Sequence, residues 1–435
     1  MFNNIYFEIS GKCNARCHWC QTGFKNKCNI PIGNFVDINE FKRSIYYMLD
    51  NDFINKDTTI ALYNWGEPFL HPKFKEIIKF LDEEGLSFAL STNASKVILF
   101  DNNELKNLKY ITFSMCGFSQ KSYDKIHGFN FEQIKRNISE ILYNFKKNEF
   151  KGDAYISYHV YQFNINEIPN IIKFCNEQSM GFSPAIAFIN DFERFKKYIK
   201  SELDYNDLKK ATQELLLYYV DEMIEQKDKE YYCPQFDCLS VDENCNIITC
   251  CLDSSIYGKI YNSKADDINN WRMNSSVCKG CNNIGLNYVV NTSKYFNLDI
   301  INKSILSDRY KKYYLMNNKW IQNLNNKKLI GIYLKRNNIK RVSIYGLGDI
   351  AHNLFNELNN LDIEVDSFIC SSLDTIESNI AENILIVDFN SLDRINSDLI
   401  IVTPIYEFEN IRKKLKLLGC KTKIESLENI IQMCS

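Results

Sequence analysis

From its first residues the chain alternates short β-rich runs with stretches whose apolar residues recur at helical spacing, the pattern of repeated βα units around a parallel sheet. The runs are Ile5 to Ile9, Thr59 to Tyr63, Ser87 to Ser91, Tyr110 to Met115, Ala154 to Tyr161 and Pro184 to Ile189. Between the first two, Asp37 followed three residues on by Glu40 has the form of a capping box, and Ile38, Phe41, Ile45 and Leu49 share one helical face. Pro72 can open the next helix, with Phe74, Ile77, Ile78 and Leu81 as its buried stripe and Gly85 as its stop. Further helices are predicted over 131–147 and 168–177, and residues 201–229 read as one charged helix. Six βα units suit a partial barrel, although an open doubly wound sheet has the same periodicity.

After that helix the pattern changes. Residues 231–287 have few long apolar runs but hold seven of the sixteen cysteines, so a metal is expected to replace part of the core. Residues 289–337 are polar and helical in pattern, a linker or docking region, and a new βαβ pattern starts at Val342. The predicted divisions are therefore 1–228, 229–288, 289–337 and 338–435.

Fifty-two basic against fifty-four acidic residues leave a formal charge of −2, which provides no global field for nucleic acid or an anionic membrane. No apolar run reaches the roughly 18 residues of a membrane span, and the start MFNNIYFEIS lacks the regions of a secretion signal. A cytoplasmic protein is expected, without a membrane or nucleic-acid partner. In a reducing compartment, metal binding is the usual reason to collect cysteines.

Cys13, Cys17 and Cys20 form a CxxxCxxC triplet just after the first predicted strand. Three thiolates on one loop can hold three irons of a four-iron cluster and leave the fourth open to an outside ligand. A structural zinc is the alternative, with Cys28 or His18 as a fourth ligand. The second group reads CPQFDCLSVDENCNIITCCLD, GKIYN, ADDINNW and CKGC, and contains Cys233, Cys238, Cys245, Cys250, Cys251, Cys278 and Cys281. Four thiolates there suit zinc or iron alike.

The triplet after a first barrel strand resembles the radical S-adenosylmethionine superfamily. Further matches follow in order. Asn64-Trp65-Gly66-Glu67-Pro68 is similar to the family's GGEP motif, with Trp65 in place of the first glycine, and Ser91-Thr92-Asn93 resembles its ribose-contacting segment. Ser114 ends the fourth strand where a serine commonly faces the cofactor, and Asn164 matches a frequent polar contact after the fifth. The resemblance implies an α/β chain with a partial (β/α)6 barrel, S-adenosyl-L-methionine and a [4Fe-4S] cluster on Cys13, Cys17 and Cys20. Gly66, Glu67, Pro68, Ser91, Thr92, Asn93, Ser114 and Asn164 would contact the cofactor. It further implies reductive cleavage to a 5′-deoxyadenosyl radical that abstracts a substrate hydrogen, with electrons from a flavodoxin or ferredoxin.

The second group resembles the SPASM or shorter Twitch extension, which encloses an auxiliary [4Fe-4S] cluster. The ligands implied are Cys233, Cys250, Cys278 and Cys281, with Cys251 or Cys238 as substitutes and Cys245 in the usual place of a turn glycine. No cysteine follows from Asn282 until Cys370, which argues for one auxiliary cluster. Cys116, where relatives often have Asp, is a candidate catalytic residue that donates a proton or hydrogen atom, or else a buried spectator. Val342 to Tyr345 followed by Gly346-Leu347-Gly348-Asp349-Ile350-Ala351 reads as strand, GxGxxA turn and helix, a Rossmann-like domain. The acidic ribose ligand expected after its second strand is missing, and Asp366 comes too early, so docking or substrate recognition competes with nucleotide binding. Because the barrel pattern starts at once, a small carbohydrate-like or nucleotide-linked substrate, oxidised or rearranged, is expected. A peptide or protein to be crosslinked or oxidised is the alternative, and a non-catalytic metal scaffold is the reading from another class.

Overall fold

The computed structural model describes residues 2–294, 298–371 and 384–434. The chain divides into two compact units, Met1–Ile305 and Leu306–Ser435.

The first unit is built on one nine-stranded sheet. Its strands are β1 (Asn4–Phe7), β2 (Thr59–Ala61), β3 (Phe88–Thr92), β4 (Leu108–Met115), β5 (Asp153–Val160), β6 (Gly181–Ile186), β7 (Cys238–Val241), β8 (Asn246–Cys250) and β9 (Asp253–Lys259). They lie in the order β6-β5-β4-β3-β2-β1-β7-β8-β9. From β1 to β6 every neighbouring pair is parallel and consecutive, with no reversal of strand order. A doubly wound sheet would reverse at its switch point, so this is the strand order of a partial barrel. The cysteine-rich segment is not a separate layer. Its first strand, β7, pairs parallel with β1, Asn4 opposite Cys238 and Phe7 opposite Val241, and β8 and β9 follow antiparallel. Backbone groups on the free edge of β1 need partners, and residues 238–241 supply them.

Helices cover the sheet where the apolar stripes put them. Ile38–Asp50 is capped by Asp37, whose carboxylate accepts from the amides of Asn39 and Glu40. Phe74–Glu83 starts two residues after Pro72 and ends before Gly85, which takes the left-handed conformation (φ +65°). Phe131–Lys147 and Ile168–Gln178 lie where expected. The single helix expected over 201–229 is instead two, Tyr205–Glu214 and Leu217–Glu225, because Leu215 and Leu216 between them turn fully into the core. Phe7, Phe41, Leu90, Ile111, Phe113 and Ile156 are completely buried at the centre of this unit. The linker region is helical over Leu286–Thr292, Leu298–Asn325 and Ile330–Arg336.

The second unit holds a five-stranded, wholly parallel sheet, β10 (Arg341–Tyr345), β11 (Glu364–Ile369), β12 (Leu385–Val387), β13 (Leu399–Val402) and β14 (Lys423–Ser426). The order β12-β11-β10-β13-β14 is the 3-2-1-4-5 sequence of a Rossmann-like half. Gly346 sits at φ +116°, where a Cβ would lie 2.4 Å from the Thr403 hydroxyl, so the first fingerprint glycine is needed for the turn. Asp366 accepts from the Asn396 amide and lies 3.8 Å from Arg341, a structural pairing within the sheet. Ser372, after the second strand, lies outside the described residues. No helix among the described residues is long and apolar enough to cross a membrane.

Removing the Phe113 ring leaves a cavity against a sheet that cannot collapse. Phe113→Ala is expected to cost the first unit about 3–5 kcal/mol, read as a lower urea midpoint.

Candidate functional site

A cavity of about 310 Å3 opens at the C-terminal ends of the parallel strands, where a barrel of this kind gathers its loops. Cys13, Cys17 and Cys20 all line it, from the loop after β1. The loop is wound tightly. Asn26 donates to the carbonyls of Cys13 and Ala15, the Cys20 amide donates to the Cys17 carbonyl, and a Cβ on Gly23 would meet that carbonyl at 2.6 Å. Burial pushes all three thiols up, Cys13 to about 12, so they ionise only against a cation. Neither alternative fourth ligand reaches them. His18 is 2.8 Å from the Asp207 carboxylate beside Arg194, and Cys28 is exposed at the end of helix Gln21–Lys27. Trp19 donates to Glu214 and packs edge-on to His18.

The loop after β2 forms the next wall. Glu8, buried just beyond β1, accepts from the amides of both Trp65 and Gly66 through one carboxylate oxygen, and burial raises its carboxyl to about 8. A Cβ on Gly66 would lie 1.7 Å from the Ser10 carbonyl, so only glycine allows this approach. Glu67 accepts from the Thr92 hydroxyl at 2.7 Å, the Asn93 amide at 2.7 Å and the Phe69 amide at 3.1 Å. A carboxylate has about four lone-pair sites, so one remains for a ligand. Burial raises Glu67 to about 7. Pro68 opens the short turn 68–70 and is buried outside the cavity lining. Ser91, Thr92, Asn93 and Ser114 line the cavity from β3, its following loop and β4, and the Asn93 side chain donates to Asn14.

Two expected contacts take other roles. Asn164 is fully buried but does not line the cavity: its carbonyl accepts from the Tyr161 amide, and its amide donates to the carbonyls of Cys116 and His159. Both of its N–H groups are used on backbone carbonyls, and these bonds tie the ends of β4 and β5 together. Cys116 is at the cavity wall but 1% exposed; its sulfur accepts from the His127 backbone and lies 3.9 Å from the Ser122 carbonyl it donates to. It anchors the loop that carries His127.

Sequence spacing gives no sign of His127 or Asn190 as lining residues, yet both face this cavity, as do Asn64 of the GGEP-like stretch and His159 of the fifth strand. Asn64 Nδ2, Asn190 Oδ1 and His127 Nδ1 are buried without a hydrogen-bond partner, which is costly unless a polar ligand fills the space. Burial lowers His127 to about 3 and also lowers His159, so both are neutral imidazoles. Among the described lining residues there is no Lys or Arg.

A second cavity, about 380 Å3, is lined by Cys233, Cys250, Cys278 and Cys281. These come from the turn before β7, the end of β8 and the helix Ser276–Asn283, whose cap Ser275 accepts from the Cys278 amide. Cys238, Cys245 and Cys251 lie outside that lining. Cys245 is buried in a left-handed turn (φ +60°), the conformation a glycine would favour. Cys251 hydrogen bonds to Cys250, and that bond lowers the Cys250 thiol while raising its own. Four thiols around one cavity are donors that suit either a single thiophilic ion or a cluster. Arg272, 2% exposed, donates to the carbonyls of Gln235 and Cys238 and sets a cation among these sulfurs. It lies one residue after the Trp of the SPASM-like stretch, where no motif marks it.

Two curated relatives match part of the chain in sequence. Fe-coproporphyrin III synthase of Methanosarcina barkeri is 23% identical over 220 residues, 49% of this chain and 50% of that protein. The tungsten-containing aldehyde ferredoxin oxidoreductase cofactor-modifying protein of Pyrococcus furiosus is 25% identical over 115 residues, 26% of this chain and 30% of that protein. The chain is similar to both over part of its length. It spans half or less of the length of these relatives. A family model described as C2185-like, N-terminal, matches residues 338–425. Among solved structures, Streptococcus suis SuiB bound to its precursor peptide SuiA is 14% identical, with a TM-score of 0.41 over 65% of this chain and 67% of that one. Proteins of the radical S-adenosylmethionine type carry S-adenosylmethionine and [4Fe-4S] clusters, and the two cysteine-lined cavities have the donor chemistry for both clusters.

The Gly66 constraint is directly testable. Gly66→Ala is expected to destabilise the first unit by about 3 kcal/mol in urea, whereas Gly258→Ala, with nothing within 4 Å of its added methyl, should change little.

Proposed function

We propose that this chain is a radical S-adenosylmethionine enzyme that oxidises a neutral, hydroxyl-bearing small molecule, carbohydrate-like in character. The observation that carries the reading is the pair of cysteine-lined cavities on one sheet, the triplet Cys13, Cys17 and Cys20 in one and four thiols in the other. Cys13, Cys17 and Cys20 would hold the cluster with an open iron, and Cys233, Cys250, Cys278 and Cys281 an auxiliary cluster. When bound, the first cluster and S-adenosylmethionine supply a 5′-deoxyadenosyl radical, with electrons from a flavodoxin- or ferredoxin-type donor.

The chain's residues bind and orient. Glu67, with one acceptor site left, receives the cofactor amino group, and the Gly66 backbone allows its approach. Ser91, Thr92, Asn93 and Ser114 offer polar atoms to the ribose side. His127 and His159, neutral and buried, present donors and acceptors to a substrate hydroxyl. Beyond the cofactor's own carboxylate, for which the open iron is the cation, the described lining residues include no lysine or arginine to pair a second anion, so the phosphates of any nucleotide-linked substrate would stay outside. In an alcohol oxidation the carbon loses a hydrogen atom, the hydroxyl loses a proton and one further electron must leave; the second centre is the acceptor available. Cys116, held by the His127 backbone, positions that loop.

S-adenosylmethionine binding should depend on pH. Glu67 is raised to about 7, so below that pH a proton must leave before the carboxylate can accept the amino group. Affinity in the cluster-loaded protein is expected to rise about fivefold from pH 6 to pH 7 by calorimetry, and Glu67→Gln should remove the dependence. For the substrate class, the reduced protein should be given neutral cyclitols and hexoses, their phosphates and short peptides. We expect 5′-deoxyadenosine formation coupled to loss of two hydrogens from a neutral polyol. Coupling to none of the neutral polyols, or only to peptides or phosphates, would overturn the assignment.

A further inference from the structure

Trp65, which lines the first cavity, and Gln21, next to the lining Cys20, both reach the segment 250–252, whose Cys250 and Leu252 line the second. Trp65 stands where the GGEP-like motif would have glycine, and its indole N–H donates to the Cys251 carbonyl at 2.7 Å. Its backbone amide is fixed on Glu8, next to Gly66 and Glu67. Gln21, 9% exposed and next in the chain after Cys20, donates from its side-chain amide to the Leu252 carbonyl at 2.9 Å. The Leu252 amide donates to the Cys250 sulfur at 3.4 Å, and the same Leu252 carbonyl accepts from Phe192. Two short routes thus join the centres: Gly66–Trp65–Cys251–Cys250, and Cys20–Gln21–Leu252–Cys250. Each passes through a hydrogen bond between partly or fully buried groups, so a shift of one segment strains or breaks a bond to the other; Phe192 remains as a second donor to the Leu252 carbonyl.

We infer that Trp65 and Gln21 are positioning residues that couple the two cysteine centres, so that filling the S-adenosylmethionine cavity changes the environment of Cys250, and loading the second centre changes the first. The inference rests on reading both cavities as cluster sites. Coupling of this kind is reciprocal by necessity. It also explains a tryptophan in a motif position that needs no side chain: a glycine there could not reach Cys251.

The test uses the full-length protein with both clusters loaded, followed by electron paramagnetic resonance of the reduced second centre with and without S-adenosylmethionine. Wild type should show a cofactor-dependent change in that signal. Trp65→Phe combined with Gln21→Leu should hold the same iron, still take up the cofactor at saturation and lose the change. A second measurement needs no cluster. In a Cys13→Ala/Cys17→Ala/Cys20→Ala background, cobalt(II) titrated into the second centre should bind about fivefold more weakly once Trp65→Phe is added, the effect of one lost neutral hydrogen bond. Persistence of the signal change in the double variant, its absence from wild type holding both clusters, or unchanged cobalt affinity would each overturn the coupling. A wild-type protein that binds only one cluster would instead overturn the two-centre reading on which the inference rests.

Discussion

Strand β1 is hydrogen-bonded along both edges, and the rest of the first unit is arranged around that fact. Its pairing with β2 begins the parallel series whose loops enclose the first cavity, and its pairing with β7 brings in the segment that encloses the second. The chain leaving β1 carries Glu8 and then the cysteine triplet. One buried carboxyl therefore holds the Trp65–Gly66 turn within reach of three thiols, and burial keeps that carboxyl protonated at neutral pH. Two cysteine-lined cavities on one sheet follow from pairing that strand twice.

The two sites differ in their electrostatics. The first is polar and lacks fixed cationic side chains among its described lining residues, so its thiols stay high and its histidines neutral. An arriving cofactor would supply the missing charge and the missing hydrogen-bond partners for Asn64, Asn190 and His127. The second has its own cation, Arg272, and a thiol, Cys250, already lowered by the hydrogen bond from Cys251. Net charge and hydrogen bonds to sulfur are what set the potential of an iron-sulfur centre, and both are in place there.

Local spacing made the cysteine triplet, the 64–68 turn, the GxGxxA turn and most strands and helices readable in the sequence, because each is a pattern within a few residues. What the sequence did not disclose depends on long-range placement. The pairing of residues 238–241 with β1 is invisible in four residues, CLSV, that could join any edge. Glu8, Arg272 and Gln21 are single side chains whose partners lie far along the chain, and His127 reaches the cavity with its Nδ1 unpartnered. Asn164 stands at a familiar position outside the cavity lining, with its side chain bonded to the backbone of Tyr161, His159 and the distant Cys116. The break at Leu215–Leu216 escaped a reading that saw charge and missed two leucines drawn into the core.

The most direct test of the account is anaerobic reconstitution with iron and sulfide, then an iron count and a dithionite assay for 5′-deoxyadenosine, on wild type and on Cys13→Ala/Cys17→Ala/Cys20→Ala. Two [4Fe-4S] centres predict about eight irons in wild type and about four in the variant, with cleavage lost. An unchanged iron count in the variant, or cleavage that survives without the triplet, would contradict it.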